Sequence, residues 1–180
     1  MRNSVSDEQS LLQRASQLET QALAEIYDNY SPGIYRYAMR LLGDVTLAED
    51  CVAETFARFL KSLREGRGPR DNLQAYLYRI AHNLVVDLYR SERETVELDD
   101  AFRSETDVPE EEAAKQIRQK QVRRVVHSLT PDQQMVIALK YLEDWSNEEV
   151  AQALKKPVGA VKSLQHRALR SLYKLLEEKS

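Results

Sequence analysis

The sequence is short of several things, and each shortage excludes something. It has one cysteine, Cys51, which rules out an internal disulfide and any cysteine-cluster metal site. Five glycines and five prolines in 180 residues are few for the frequent turns of a β-sandwich, and they favour long helices. No run of 18 apolar residues occurs, so no transmembrane helix is expected. Met1–Ser10 has no apolar signal core, so export is not expected, and a cytoplasmic location fits the lone thiol. Catalytic signatures are missing as well. His82, His127 and His166 have no ligand spacing to one another, and there is no glycine-rich phosphate loop, HExxH or GxSxG. These gaps point away from an enzyme and from any metal or cofactor. What remains is 42% apolar and 31% charged, too apolar for wholesale disorder and too polar for a membrane protein.

The net charge of −3 conceals a strong asymmetry. Residues 1–94 carry 12 basic and 14 acidic side chains, residues 95–113 one and eight, and residues 114–180 thirteen and seven. The middle stretch, TVELDDAFRSETDVPEEEA, therefore holds −7 between parts of −2 and +6. Like charges repel, and so little apolar surface cannot offset the entropy of ordering the segment. The expected organisation is a helical domain over 1–94, a flexible acidic linker over 95–113, and a second helical domain over 114–180. Each flanking part is long enough for a modest core, and the fold class is all-α with two small domains.

The first part reads as helices over 8–17 and 20–30, then one opened by Pro32, carried to Leu42 and stopped by Gly43. Thr46-x-x-Glu49 has the form of a capping box for a helix to about Leu63, with Val52, Phe56, Phe59 and Leu60 at helical spacing. Arg64–Asn72, with two glycines and a proline, is a loop, and Asp71 or Asn72 caps a long helix from Leu73 to about Arg93. Its apolar stripe is Leu77, Ile80, Ala81, Leu84 and Leu88, and its other face is Arg79, His82, Asn83, Val86, Arg90 and Arg93. The second part predicts helices over Lys115–Leu129, from a Thr130-Pro131-Asp132-Gln133 cap to Leu142, from a Ser146-x-x-Glu149 box to Leu154, and from Val158 to about Glu177.

The last two of these, separated by Lys155-Lys156-Pro157, have the plan of a helix-turn-helix. Val150, Ala151 and Leu154 are placed to pack on Val158, Val161 and Leu164, leaving Lys162, Ser163, His166, Arg167 and Arg170 outward with Gln165 beside them. From Lys155 to Leu176 there are six Lys or Arg and no acid. A solvated face usually mixes both signs, whereas Arg and Lys neutralise phosphates or pair with guanine and Gln pairs with adenine. A second basic group, Arg64, Arg67, Arg70, Arg79, Arg90 and Arg93, is interleaved with Tyr76 and Tyr78. Arginines with flat aromatic side chains suit unstacked DNA, but taken alone this patch better fits a soluble surface over half-buried tyrosines. Glu49, Asp50 and Glu54 crowd the start of one helix, which the helix dipole by itself favours. Cys51, among apolar neighbours, reads as a small core residue.

Taken together, these stretches resemble the extracytoplasmic-function (ECF) group of bacterial sigma factors in the sigma-70 superfamily. ALAEDCVAETFARFL is similar to the family's region 2.2. NLQAYLYRIAHNLVVDLYRSER is similar to regions 2.3 and 2.4, matching at Ala75, Leu77, Ile80, Ala81, Asn83, Asp87 and Arg90. LTPDQQMVIALKYLEDWSNEEVAQALKKPVGAVKSLQHRALRSL is similar to region 4, with Glu149-Val150-Ala151 and Gly159–Ser163 in place. The pattern departs at Ala53 (usually Gln), at Tyr76 (usually Trp), and at Ala160 and Leu164 (usually Thr and Arg).

The resemblance implies a factor that binds core RNA polymerase and directs transcription initiation while catalysing nothing itself. Glu49, Asp50, Val52, Glu54 and Phe56 would meet the polymerase clamp. Arg64, Arg67, Arg70, Tyr76, Arg79, Asn83, Arg90 and Arg93 would capture the melted start-proximal (−10) element. Lys162, Ser163, Gln165, His166, Arg167 and Arg170 would read the upstream (−35) element with the second domain seated on the polymerase flap. The acidic linker would thread the polymerase channel, and an anti-sigma factor is a further partner common in the family. Two other classes stay open on the residues alone: a helix-turn-helix regulator that binds duplex DNA unaided, and a helical adaptor. The regulator gives the acidic linker no role, and the unbroken basic run Lys155–Lys174 speaks against the adaptor.

Overall fold

Eight α-helices and one π-helical turn make up the computed structural model, which describes residues 5–96 and 110–177; no strand occurs among them. In chain order the helices are α1 (Val5–Ser16), α2 (Thr20–Leu42), α3 (Val45–Arg64), α4 (Leu73–Val96), α5 (Glu110–His127), α6 (Pro131–Ile137), α7 (Asn147–Leu154) and α8 (Val158–Glu177). The π turn, Ala138–Leu142, continues α6. The acidic stretch 95–113 is seen at its ends only: α4 runs into it from one side and α5 starts within it, while residues 97–109 lie outside the described part.

Two local expectations are corrected in the first lobe. Pro32 does not open a helix: it lies inside α2, which runs unbroken from Thr20 to Leu42. An interior proline costs about 3 kcal/mol. Against this, Ala22, Ile26, Ile34, Tyr37, Ala38 and Leu41 form one buried stripe on both sides of it. Burying each large apolar side chain contributes roughly 1.5–3 kcal/mol, so packing carries the helix through. The left-handed stop at Gly43 is where the pattern put it, with φ 70°. Thr46 does not cap α3. Asp44 does, accepting from the Leu47 amide at 2.9 Å, because an equally good cap stands two residues earlier beside Gly43. Both second-lobe capping boxes form, at Thr130/Gln133 and Ser146/Glu149.

α4 begins under two side-chain caps. Asn72 Oδ1 accepts from the Ala75 amide at 3.1 Å, and Glu8 of α1 accepts from the Leu73 amide at 2.7 Å. α2, α3 and α4 pack around Ile26, Ile34, Tyr37, Phe59, Leu73, Leu77 and Val85, all fully buried. In the second lobe α7 and α8 pack on each other, as the sequence pattern predicts for Val150 and Val161, and on α6 and its π turn around Val136 and Leu139.

The two lobes meet along α4, whose one side packs on α6 and α7, and the buried apolar cluster runs through the joint to Trp145. Polar groups cross the joint too. His82 was expected on the outer face of α4, but it is 2% exposed. Its Nε2 donates to the Pro131 carbonyl at 2.9 Å, which leaves Nδ1 as acceptor for the Tyr37 hydroxyl at 2.8 Å. Burial lowers its pKa to about 4, so it is neutral. Glu143 accepts from Arg40 Nη1 at 3.0 Å and from the Tyr78 hydroxyl at 3.2 Å. Asn72 bonds Gln152 of α7, and the Tyr89 ring stacks on His127 of α5.

Candidate nucleic-acid interface

α7, a three-residue turn and α8 form the helix-turn-helix. Lys155 ends α7 in the left-handed region, φ 53°, and its amide bonds back to Ala151 and Gln152. Pro157 then stands just outside α8, where its missing donor is harmless. α8 turns Val161 and Ala168 fully inward, with Ala168 against Leu129 and Ile137. The opposite face carries Lys162, Ser163, His166, Arg167 and Arg170, all exposed, with Gln165 half-buried at its edge. Nothing stands over Gly159 within 4 Å of where a Cβ would be, so α8 is uncovered at that position of its first turn. Ser163 Oγ donates to the Gly159 carbonyl at 3.0 Å and Arg167 Nε to the Ser163 carbonyl at 3.3 Å, so both lie along the helix. Gln165 Nε2 donates across to the Tyr141 hydroxyl at 2.8 Å.

The start-proximal candidates gather at the loop between α3 and α4 and on the outer face of α4. Arg64, Arg67 and Arg70 are exposed; Arg67 pairs with Glu65, which raises the guanidinium and lowers the carboxyl from their ordinary values. Tyr76 is half-buried edge-on to Phe59, with the Arg79 guanidinium 5.5 Å over its ring. Asn83 and Arg90 are exposed further along α4, and the Arg93 side chain lies outside the described residues. Tyr78, grouped with these by sequence, instead turns into the joint between the lobes and is 3% exposed. Arg67, Arg70, Tyr76 and Arg79 line an open cleft of about 1660 Å³ whose lining also includes Glu143, Asp144, Glu149 and Lys155.

On α3, Glu49, Asp50 and Glu54 are exposed, and Glu54 pairs with Arg58 at 2.7 Å. Phe56 is half-buried and packs on exposed Tyr27, ring centroids 4.8 Å apart. Val52 does not join them: it is 6% exposed and faces the core, because it falls on the stripe of Ala48, Cys51, Thr55 and Phe59. Burial raises the Cys51 thiol to about 11, and Sγ lies 3.7 Å from the Ala81 carbonyl, which keeps it an unreactive core group. Among the described residues no cluster of three or more His, Cys, Asp or Glu is placed to hold a metal, and no helix is long and apolar enough to cross a membrane.

Sequence reasoning missed the side chains of the joint: Arg40, Tyr78, His82 and Glu143. A signal existed in polar and aromatic residues set into the apolar stripes of α2 and α4. Their partners, however, lie 49 to 103 residues away in sequence.

Comparison with known proteins bears on the whole arrangement. Residues 26–95 match the model for sigma-70 region 2, and residues 119–172 the model for sigma-70 region 4. The ECF RNA polymerase sigma factor SigW of Bacillus subtilis is 31% identical over 174 residues, covering 87% of this chain and 90% of SigW. The ECF RNA polymerase sigma factor BldN of Streptomyces coelicolor is 35% identical over 173 residues, 93% of this chain; the chain spans 65% of the length of BldN. Among solved structures, CnrH in complex with the cytosolic domain of CnrY superposes with a TM-score of 0.67 at 25% identity, covering 96% of this chain and 98% of that one. The sigma factor RpoE bound to the anti-sigma factor NepR from Bartonella quintana shares the fold, with a TM-score of 0.56 at 23% identity over 86% of this chain and 96% of that one. The chain belongs to the ECF family of RNA polymerase sigma factors, non-catalytic initiation factors that bind core polymerase and recognise promoters.

Proposed function

We propose that the two lobes divide promoter recognition, the region 2 lobe (1–94) taking the −10 element and the region 4 lobe (114–180) the −35 element. The observation that carries this is α8. It has a basic outer face with no acid before Glu177 at its end, a first turn open at Gly159 and a helix-turn-helix behind it. Lys162, Ser163, Gln165, His166, Arg167 and Arg170 meet the major groove of the upstream element. Arg64, Arg67, Arg70, Tyr76, Arg79, Asn83, Arg90 and Arg93 hold the melted start-proximal strand, with Tyr76 offering a ring on which a base stacks. Glu49, Asp50, Glu54 and Phe56 dock on the polymerase clamp, an exposed acidic patch beside an aromatic pair. The acidic segment 95–113 links the lobes through the polymerase, where its −7 charge suits basic walls.

The setting is the cytoplasm, where polymerase and promoters are, and an anti-sigma factor that covers these surfaces is the expected regulatory partner. The test is run-off transcription with purified core polymerase, with and without the chain. New, chain-dependent start sites downstream of a shared two-element sequence are expected. Tight, sequence-specific binding to duplex DNA by the free chain, with no effect on core polymerase, would establish a stand-alone regulator instead.

A further inference from the structure

Of the six α8 side chains assigned to the upstream element, Gln165 is the one whose bond runs to another element: its Nε2 donates to the Tyr141 hydroxyl at 2.8 Å. Tyr141 belongs to the π turn Ala138–Leu142 and is 49% exposed. The wider i→i+5 turn displaces the side chains that follow from their α-helical positions, and π turns of this kind are frequent at functional sites. The backbone that carries Tyr141 is held from behind. Trp145 N–H donates to the Leu139 carbonyl at 3.0 Å, and Lys140 Nζ to the Trp145 carbonyl at 3.1 Å.

A glutamine amide has two N–H donors and one carbonyl acceptor. With one N–H given to Tyr141, the other N–H and Oε1 remain, which is the donor and acceptor pair that adenine N7 and N6–H require in the major groove. A free glutamine on a helix surface would have to be ordered at the moment of binding; this one is already oriented. Resting on the reading of α8 as the groove-reading helix, we infer that Tyr141 is a positioning residue for promoter choice. Its hydroxyl aims Gln165 at one adenine of the upstream element.

The test is transcription by holoenzyme from a library randomised over the upstream element, comparing wild type with Gln165→Ala, Tyr141→Phe, the double variant and Lys162→Ala. Tyr141→Phe keeps the ring and its packing, and an unchanged melting temperature verifies that. The wild type should prefer adenine at one position. Gln165→Ala should reduce that preference about tenfold, the scale of a bidentate base contact. Tyr141→Phe should reduce it about threefold at the same position and nowhere else, the scale of one hydrogen bond. The double variant should match Gln165→Ala, because the hydroxyl acts only through the amide. Equal weakening at all positions by Tyr141→Phe would make Tyr141 a structural residue and overturn the inference. So would a preference left as in wild type by Tyr141→Phe while Lys162→Ala relaxes one position, with the reading of α8 intact. If no α8 substitution shifts any position, the reading of α8 itself has failed, and the inference with it.

Discussion

Tyr78 of α4 donates its hydroxyl to Glu143, 65 residues away in the other lobe, at 3.2 Å. Arg40 of α2 approaches the same carboxylate through its other oxygen at 3.0 Å, and the Glu143 side chain is 8% exposed. Burial and the facing carboxylate both push the Tyr78 phenol upward, so it stays a donor. The contact is therefore a charge-assisted hydrogen bond plus one charge pair, with the carboxylate shielded from water and the Arg40 side chain 46% exposed. Glu143→Ala should cost more than Tyr78→Phe. The first leaves a buried hydroxyl unpaired, about 1–3 kcal/mol, and also removes the Arg40 pair, whereas the second loses one hydrogen bond to a charged acceptor, about 1.5–3 kcal/mol, and leaves Glu143 with Arg40. Urea denaturation measures the difference. Small-angle scattering of the Glu143→Ala protein should show a larger radius, and an unchanged radius would mean the lobes stay docked without this carboxylate.

Gly33 of α2 leaves room for the Tyr78 hydroxyl that makes that bond. A Cβ on Gly33 would stand 2.7 Å from the Tyr78 hydroxyl oxygen, so one of them must move. Gly33→Ala should destabilise by about 1–3 kcal/mol, the usual cost of overpacking. Removing the hydroxyl relieves the contact, so Gly33→Ala with Tyr78→Phe should cost less than the two separately. A strictly additive double variant would place the strain somewhere other than at this pair.

His82 makes the joint sensitive to acid. Its pKa is about 4 in the fold against 6.5 in the unfolded chain, because burial disfavours the imidazolium more than the Pro131 carbonyl and Asp132 favour it. Between those values the unfolded chain binds more protons, so stability is complete above pH 6.5 and falls as pH drops toward 4. The full loss is about 3 kcal/mol at most. Chemical denaturation from pH 7.5 to 4.5 should show this slope, and His82→Gln should flatten it by the share His82 supplies. The same slope in the variant would assign the acid sensitivity to carboxylates.

The clamp-facing assignment has its own measurement. Asp50 is exposed on α3 between Glu49 and the Glu54–Arg58 pair. If this face docks on a basic polymerase surface, Asp50→Arg should slow association and reverse its salt dependence. A rim charge acts mainly on the on-rate, while one partner of a buried pair costs roughly 2–5 kcal/mol. Unchanged core affinity at low and high salt, with helicity intact, would leave these acids as dipole partners of α3 and nothing more.

Much of this was legible beforehand, for identifiable reasons. Helix type, both second-lobe capping boxes and the buried line of α8 depend on residues within one or two turns, and local pattern reports those. The start of α3 was misplaced because Asp44 and Thr46 are both good caps and only context chooses between them. The break expected at Pro32 failed because a local penalty was outweighed by a stripe that local rules do not weigh. Helical spacing sets Val52 on the apolar stripe while the resemblance implies a clamp contact, and packing keeps it on the inner face. The joint between the lobes escaped because it pairs α2 and α4 with residues from His127 onward, and no period in the sequence encodes such a distance. The π turn has no sequence signature, so the Tyr141–Gln165 bond was out of reach as well.

The division of labour along α8 remains to be argued. Lys162, His166 and Arg170 step by four along one exposed line, with Ser163 and Arg167 on the line beside it. In a helix-turn-helix the N-terminal part of the second helix reaches base edges, and residues flanking it hold phosphate. Lys162 and Ser163 lie in the first two turns of α8 and His166 just beyond, over an entrance left open at Gly159. Arg170 lies a turn further on, beside Leu169 and Tyr173, and on this reading would meet the phosphate backbone. Losing a base contact should cost about 1–3 kcal/mol and relax preference at one position, whereas losing a phosphate contact should weaken all sequences alike and reduce the salt slope by about one. Promoter-library transcription with Lys162→Ala, His166→Ala and Arg170→Ala holoenzymes separates the two. The first two should each alter one position, and the third should lower output across the library. An Arg170→Ala holoenzyme that prefers a different upstream sequence, beside Lys162→Ala and His166→Ala holoenzymes that only lose output, would mean that α8 enters the groove from its middle rather than its first turns.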